Sequence, residues 1–406
     1  MKKNFKICHL TELIPHPKLC MFMISKIIRM AIVLGLAHAT ILIGGAPINL
    51  SSFKPFVGIA YGPFRDTESP NYGSYPTVAE ITQDLTQSVA FLASEITTYG
   101  MNNTLSNIPA LCNTYNIKCY PCAYVSDSNF QDTTNQINIL IAVGNQNYPT
   151  TRGLVVGSES ILQGYSPSTL ISNINYVRAA THTNVPVGTR DIPSNFLNNP
   201  ALVSACDFIQ ADIYAYWAQI PISNAATWTI QQWRILTNAF PGKPVQIGEA
   251  NWPTAGTNTF WNNPDIVPGV TNQARFLSEF VKMANSNRIE YFIFELRDEP
   301  WKVQEGIGTV ETNWGVLDGR GNKKTSLVSF LSTNFIVKIS PTITNTVSLV
   351  IQTYDGNPYT LWKGTNLQTG FGISVTNFVA TTGTNQTRLA VTNSGKNGFF
   401  RAQQKF

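Results

Sequence analysis

Charge is what this chain has least of. Only 13% of its 406 residues are Asp, Glu, Lys or Arg, about half of the ~25% usual in soluble domains. The formal net charge is +5, but no run of Lys or Arg interrupts the part that reads as folded. Neutralising a phosphate backbone needs a concentrated basic face, so nucleic acid is excluded as a partner. Histidine is scarce, with four in the chain, and no His/Asp/Glu group has the spacing of a ligand set. Neither a metal nor another cofactor is expected. Cysteine is sparse too. Of six, Cys8 and Cys20 fall in the amino-terminal leader, which leaves Cys112, Cys119, Cys122 and Cys206. Four cysteines allow three pairings, and buried thiols or one or two structural disulfides are the expectation. Cys119-Tyr-Pro-Cys122 lacks the second pair a zinc site needs, and it reads as strand rather than the start of a helix. Repeats and low-complexity tracts are absent.

Apolar residues are plentiful, at 43%, enough for a sizeable core in one large domain plus a small one. The polar residues are mostly Asn, Thr, Ser, Gln and Tyr, a surface suited to neutral glycans outside the cell. The amino terminus reads as an export leader spanning residues 1–50. Lys26 and Arg29 precede an apolar run from Met30 to Ala46, with small-residue cleavage sites at Ala37-His-Ala39 and Gly44-Gly-Ala46. The run is close to the shortest that spans a bilayer, so membrane attachment is expected only if the leader stays uncleaved. The expected destination is the cell exterior or surface, with the periplasm as an alternative.

From residue 51 to 334 short strand-like runs alternate with helical stretches. The strand candidates are Phe56–Tyr61, Glu95–Tyr99, Lys118–Val125, Gly153–Ser158, Val185–Thr189, Phe208–Tyr214, Pro244–Gly248 and Glu290–Leu296. Helical segments between them include Thr77–Ala93, Ile108–Tyr115, Pro167–Ala180, Thr229–Ala239 and Asn272–Asn285. This alternation argues for a parallel sheet, and eight units match a (β/α)₈ TIM barrel, a fold of about 250 residues. Residues 335–406 differ: short β-branched runs between Gly/Asn turns predict a small all-β, sandwich-like accessory module.

Two apolar runs end on a glutamate beside a Gly: Gly153-Leu-Val-Val-Gly-Ser-Glu159 and Pro244-Val-Gln-Ile-Gly-Glu249. Burying a carboxylate is costly unless it is used or paired. On strands four and seven of one barrel, both would sit at the carboxyl ends where such folds build active sites. Paired carboxyls across one cleft are what glycosidic bond cleavage requires: one protonates the leaving oxygen, and the other attacks or activates water.

With those residues in view, segment 56–332 resembles glycoside hydrolase family 17, the β-1,3-glucanase and glucanosyltransferase family. Val57-Gly-Ile-Ala-Tyr-Gly-Pro63 resembles its first strand, and Thr97-Thr-Tyr-Gly100 its second-strand R-x-Y motif. Val156-Gly-Ser-Glu159 resembles the V-G-N-E acid motif, and Ile247-Gly-Glu-Ala-Asn-Trp-Pro-Thr254 the E-x-G-W-P-S nucleophile motif. Phe294-Glu-Leu-Arg-Asp-Glu-Pro-Trp-Lys302 with Glu311-Thr-Asn-Trp-Gly-Val316 resembles the closing segment. The resemblance implies a retaining enzyme that hydrolyses or transfers β-1,3-glucan, with Glu159 as acid/base and Glu249 as nucleophile. It also implies an accessory charged cluster of Glu299, Lys302 and Glu311 that contacts sugar hydroxyls. Ser158 and the aromatics Tyr99, Tyr214 and Trp252, which fall near strand carboxyl ends, are the other candidate sugar contacts, each aromatic being as apt to pack in the core. A monomer is expected, and the alternatives are a glycosidase on another β-glycan or a catalytically weak glycan-binding surface protein. The chain departs from the pattern at three places. Ser158 stands where the family usually has the Asn that bonds the sugar 2-hydroxyl, Thr97 stands where it often has Arg, and Ala250-Asn251 replace the residues before Trp252. A serine lacks an amide's donor and acceptor together; transition-state stabilisation is then weaker here or supplied from elsewhere.

Overall fold

The computed structural model describes residues 54–331 in full, and residues 332–333 and several flanking strands by their backbone alone. Residues 1–39 of the leader lie outside the described residues, as do the side chains of the carboxyl-terminal strands. Residues 54–331 form one compact unit.

Its strands are β1 (Phe56–Ala60), β2 (Ala93–Thr97), β3 (Lys118–Tyr120, resuming at Cys122–Ala123), β4 (Leu154–Ser158), β5 (Val187–Asp191), β6 (Phe208–Asp212), β7 (Val245–Ala250) and β8 (Tyr291–Ile293). All pair in parallel, in the ring order 3-2-1-8-7-6-5-4-3. The ring closes through β3, whose first segment pairs with β2 and whose second pairs with β4. Pro121 separates the two segments because it has no N–H for the ladder; its carbonyl still accepts from Val155 N–H at 2.9 Å. The eight expected strands are therefore all present, one of them interrupted, in a TIM-barrel arrangement.

Helices cover the outside by the usual periodicity of buried positions. The helix Val270–Ser286 buries Phe276, Leu277, Phe280, Val281 and Ala284, and Phe280 meets Tyr291 of β8 edge-on at 5.1 Å. Each of the larger side chains so buried contributes roughly 1.5–3 kcal/mol. The helix Val78–Asp84 starts at a reciprocal capping box between Thr77 and Glu80, which satisfies two otherwise orphaned N–H groups. A further helix, Phe130–Asn145, has little sequence signal, because its Asn-, Gln- and Thr-rich exposed face dilutes its apolar stripe.

Inside the ring, Tyr120, Cys122, Val155, Phe208 and Phe292 form one buried cluster. Beside it runs a polar chain. Thr97 Oγ1 donates to Gln210 Oε1 (3.2 Å), Gln210 Nε2 to Gln246 Oε1 (2.9 Å), Gln246 Nε2 to the Tyr120 hydroxyl (2.8 Å), and that hydroxyl to Glu290 Oε1 (2.7 Å). The four cysteines outside the leader are buried free thiols. The second unit, described by itself, contains two three-stranded antiparallel sheets, one of Lys338–Pro341, Thr346–Gln352 and Gln386–Thr392, the other of Ile373–Val379, Pro358–Gly364 and Phe399–Gln404. Among the described residues no helix is long and apolar enough to cross a membrane.

Candidate active site

Both glutamates are aimed by the same local device. In each strand the ladder slips just before the carboxylate, between Val155 and Ser158 in β4 and between Ile247 and Glu249 in β7. Such irregularities re-aim the side chain that follows, and each contains a glycine. Gly157 has φ +83°, a conformation that favours glycine, and a Cβ there would stand 2.5 Å from Ser160 Oγ. At Gly248 a Cβ would stand 2.5 Å from Asp212 Oδ1 and 2.9 Å from Arg190 Cδ. The Gly one or two residues before each glutamate is thus what admits the neighbouring polar groups. Glu159 itself lies in the left-handed region at φ +50°, held by its N–H donating to Arg190 O at 2.8 Å.

Carboxyl oxygens of Glu159, Asp212 and Glu249 all lie within 4.8 Å of one another. Sequence spacing gave no hint of this three-carboxylate cluster. A cation already serves it: Arg190 Nε is 3.5 Å from Glu249 Oε1 and 3.7 Å from Asp212 Oδ2, with every group buried. Tyr214 donates its hydroxyl to Glu249 Oε2, and the Tyr99 ring lies under the Arg190 guanidinium at 4.5 Å. The two glutamates thus have different surroundings. Burial first, then the charges of Glu249 and Asp191, push Glu159 up to about 8. Asp212 is likewise raised, by burial and then by the Glu249 charge. Asp191 fixes the turn after Glu159, accepting from Ile161 N–H at 2.9 Å and from Asn195 Nδ2 at 2.7 Å.

The accessory cluster assembles around Lys302 and includes Glu295, beyond the expected Glu299 and Glu311. Lys302 Nζ donates to both oxygens of Glu295 (2.8 and 2.9 Å) and lies 2.9 Å from Glu299 Oε2. Glu295 follows a cis Phe294–Glu295 peptide, and Lys302 Nζ lies 4.4 Å over the Phe294 ring. Gly62 of the first-strand motif leaves room for the Glu299 carboxylate. Glu311 is buried, pushed up to about 7 mainly by that burial, and its charge reaches both Lys302 and Glu159.

Trp252 is a correction. Its ring is fully buried, its indole N–H donates to Val267 O at 3.0 Å, and it meets Tyr216 edge-on at 5.4 Å. No sugar can stack on it; it anchors the loop after β7. Nearby aromatic surface comes instead from Trp217 and Trp261, both partly exposed, and from Phe260, 68% exposed. A separate hollow of about 600 Å³ lies where the chain enters β4 and β5, lined by Tyr148, Thr151, Arg152, His182 and Pro186 among others, and it holds no carboxylate.

The sequence pattern of the BtgE/BtgC glycoside hydrolase domain matches residues 58–315. The chain belongs to that family. Among relatives of this BtgE/BtgC domain, a provisionally named glucan endo-1,3-beta-glucosidase (btgC) of Aspergillus niger is 32% identical over 304 residues, covering 68% of this chain and 44% of that protein. The chain spans less than half the length of the curated relatives it matches. A glycoside hydrolase family 17 beta-1,3-glucanosyltransferase from Rhizomucor miehei has a crystal structure with a TM-score of 0.58 at 27% identity, covering 67% of this chain and 96% of that one. An active-site mutant of that enzyme, solved with laminaritriose, superposes at 0.57 with the same identity and coverage. The family 17 resemblance read in the motifs and the BtgE/BtgC match thus agree.

Proposed function

We propose that residues 54–331 cleave or transfer β-1,3-linked glucan with retention of configuration, Glu249 attacking the anomeric carbon and Glu159 serving as acid and then base. The observation that carries this reading is the close approach of two carboxyls in unlike settings. Retaining enzymes hold their pair about 5–5.5 Å apart, and oxygens of Glu159 and Glu249 lie within 4.8 Å. Glu159 is held protonated at neutrality, as a general acid must be. Arg190 and the Tyr214 hydroxyl contact Glu249 as partners for a carboxylate. In the first step Glu159 gives its proton to the glycosidic oxygen as Glu249 bonds to C1. In the second, Glu159 takes a proton from water or a sugar hydroxyl, which displaces Glu249. The names and the laminaritriose of the similar proteins support glucan as the substrate class. Tyr99, Tyr214 and Ser158 border this site, and the Lys302 cluster flanks it.

The test is mass spectrometry of products from laminaripentaose in ¹⁸O-water. Hydrolysis puts one ¹⁸O on the new reducing end, and transfer gives oligosaccharides longer than the substrate. An enzyme that leaves laminaripentaose intact while cutting mannan or another β-glycan would overturn the substrate assignment.

The acid's position predicts a pH profile. The first step needs Glu159 protonated, and its pKa is raised to about 8. Rate should therefore hold through neutrality and fall as pH rises through about 8, ending in a tenfold loss per unit. A Glu159→Gln variant should lose that alkaline limb, and an unchanged limb would reassign the group.

We further propose that residues 1–50 direct export and that the carboxyl-terminal residues form a sandwich-like accessory module separable from catalysis. A protein of residues 50–335 should keep activity on short soluble oligosaccharides within about threefold, since a separate domain carries its own core. A folded truncation inactive on them would mean that the module completes the cleft.

A further inference from the structure

Ser158 and Thr97, two of the positions where the chain departs from the family 17 pattern, lie on different strands and meet one side chain. Arg190 of β5 donates from Nε and one terminal nitrogen to Ser158 Oγ at 3.0 and 2.9 Å. Its other terminal nitrogen donates to Thr97 Oγ1 at 3.0 Å. A further bond runs to Thr98 O at 3.1 Å. We propose that Arg190 is the positioning residue of the carboxylate pair, delivering from strand five the guanidinium that the family pattern delivers from position 97, with the hydroxyls of Thr97 and Ser158 as its seat.

Space supports the exchange. Thr97 and Tyr99, two residues apart along the chain where β2 ends, share a face, and Arg190 lies over the Tyr99 ring. An arginine at 97 would project into the volume that the Arg190 guanidinium fills. Both residues are fully buried, so only one of the two positions can hold an arginine. Charge supports it as well. Among the described residues, Arg190 is the one cation paired with Glu249 and Asp212, and an unpaired buried carboxylate is costly. The serine then has a reason. A hydroxyl that accepts two bonds from one guanidinium keeps its own proton to donate, so Ser158 can face a sugar hydroxyl as a donor while its oxygen is fixed from behind. Stabilisation missing from position 158 is in this way supplied from position 190.

The proposal rests on the glucanase reading, and its test separates the two. Four proteins are compared on laminaripentaose: wild type, Arg190→Ala, Arg190→Lys and Thr97→Arg/Arg190→Ala. In parallel, the Glu159 carboxyl is titrated by ¹³C NMR, assigned with Glu159→Gln, a readout that needs no turnover. Arg190→Ala should lower kcat by about 10²-fold with KM changed less than about threefold, the size expected for one preorganised donor group. Because the Arg190 charge lowers the Glu159 pKa, its loss should move the Glu159 titration to higher pH. The double variant should bring kcat back to within about tenfold of wild type and return the titration. Arg190→Lys, with charge but no fork, should fall between and report on the site even where the alanine variant does not fold. A folded double variant as impaired as Arg190→Ala, with the titration unrestored, overturns the proposal. If wild type leaves laminaripentaose intact, the substrate reading fails, and the titration alone decides whether an arginine at 97 replaces Arg190.

Discussion

Glu249→Gln is expected to lose turnover on laminari-oligosaccharides by on the order of 10⁴-fold or more, above about 5 kcal/mol of transition-state free energy. The amide keeps the shape of the carboxyl and an oxygen that can accept from Tyr214, but it has no charge with which to attack carbon. Without the covalent glucosyl intermediate, neither water nor a sugar acceptor has anything to displace. The fold should be little affected, because Arg190 retains Asp212 as a partner 3.7 Å away; a melting temperature within about 3 °C of wild type is the control, less than about 2 kcal/mol for a domain of this size. A folded Glu249→Gln protein with near wild-type turnover would move the nucleophile elsewhere, and Asp212 is the carboxylate in reach.

Glu159→Gln should separate substrates by leaving group. On glucan the departing sugar oxygen must be protonated, and removing a positioned general acid costs about 10²–10⁴-fold. An aryl glucoside whose leaving group departs as a stable anion needs little of that proton, so formation of its glycosyl-enzyme should slow by less than about tenfold. The intermediate would then accumulate, because the same residue is the base of the second step, and a burst of released phenol should become visible. Equal losses on both substrates would show that Glu159 is not the acid.

Much of this was legible in the chain. All eight strands lie where short apolar runs placed them, and Glu159 and Glu249 stand out because each closes such a run at its carboxyl end, just after a Gly. What sequence could not supply was the set of partners. The expected fifth strand stopped at Thr189, since Arg190 and Asp191 look like the start of a loop; the strand in fact runs through Asp191, and Arg190 is fully buried. Burying a guanidinium is sensible only once carboxylates from two other strands are known to face it, which is a matter of ring order and not of local pattern. Asp212 was hidden for the same reason. Glu295 was passed over because the closing motif offered several acids in nine residues, and only the geometry shows which of them hold Lys302. Trp252 failed in the opposite direction: aromatics near strand ends serve cores as readily as sugars, and here the ring is fully buried against Tyr216.

The polar chain through the barrel has a consequence for how the ring finds its pairing. Arg190, Ser158, Thr97, Gln210, Gln246 and Tyr120 belong to strands 5, 4, 2, 6, 7 and 3. Sliding any one of these strands by a single residue would turn its member from the lumen to the helix layer. The partner left behind would have no water to turn to, at roughly 1–3 kcal/mol for each orphaned group. Apolar side chains of similar size would tolerate such a slip far better. Six strands thus check one another's alignment through hydrogen bonds, and the closed ring that passes this check is the one that brings Glu159 and Glu249 face to face.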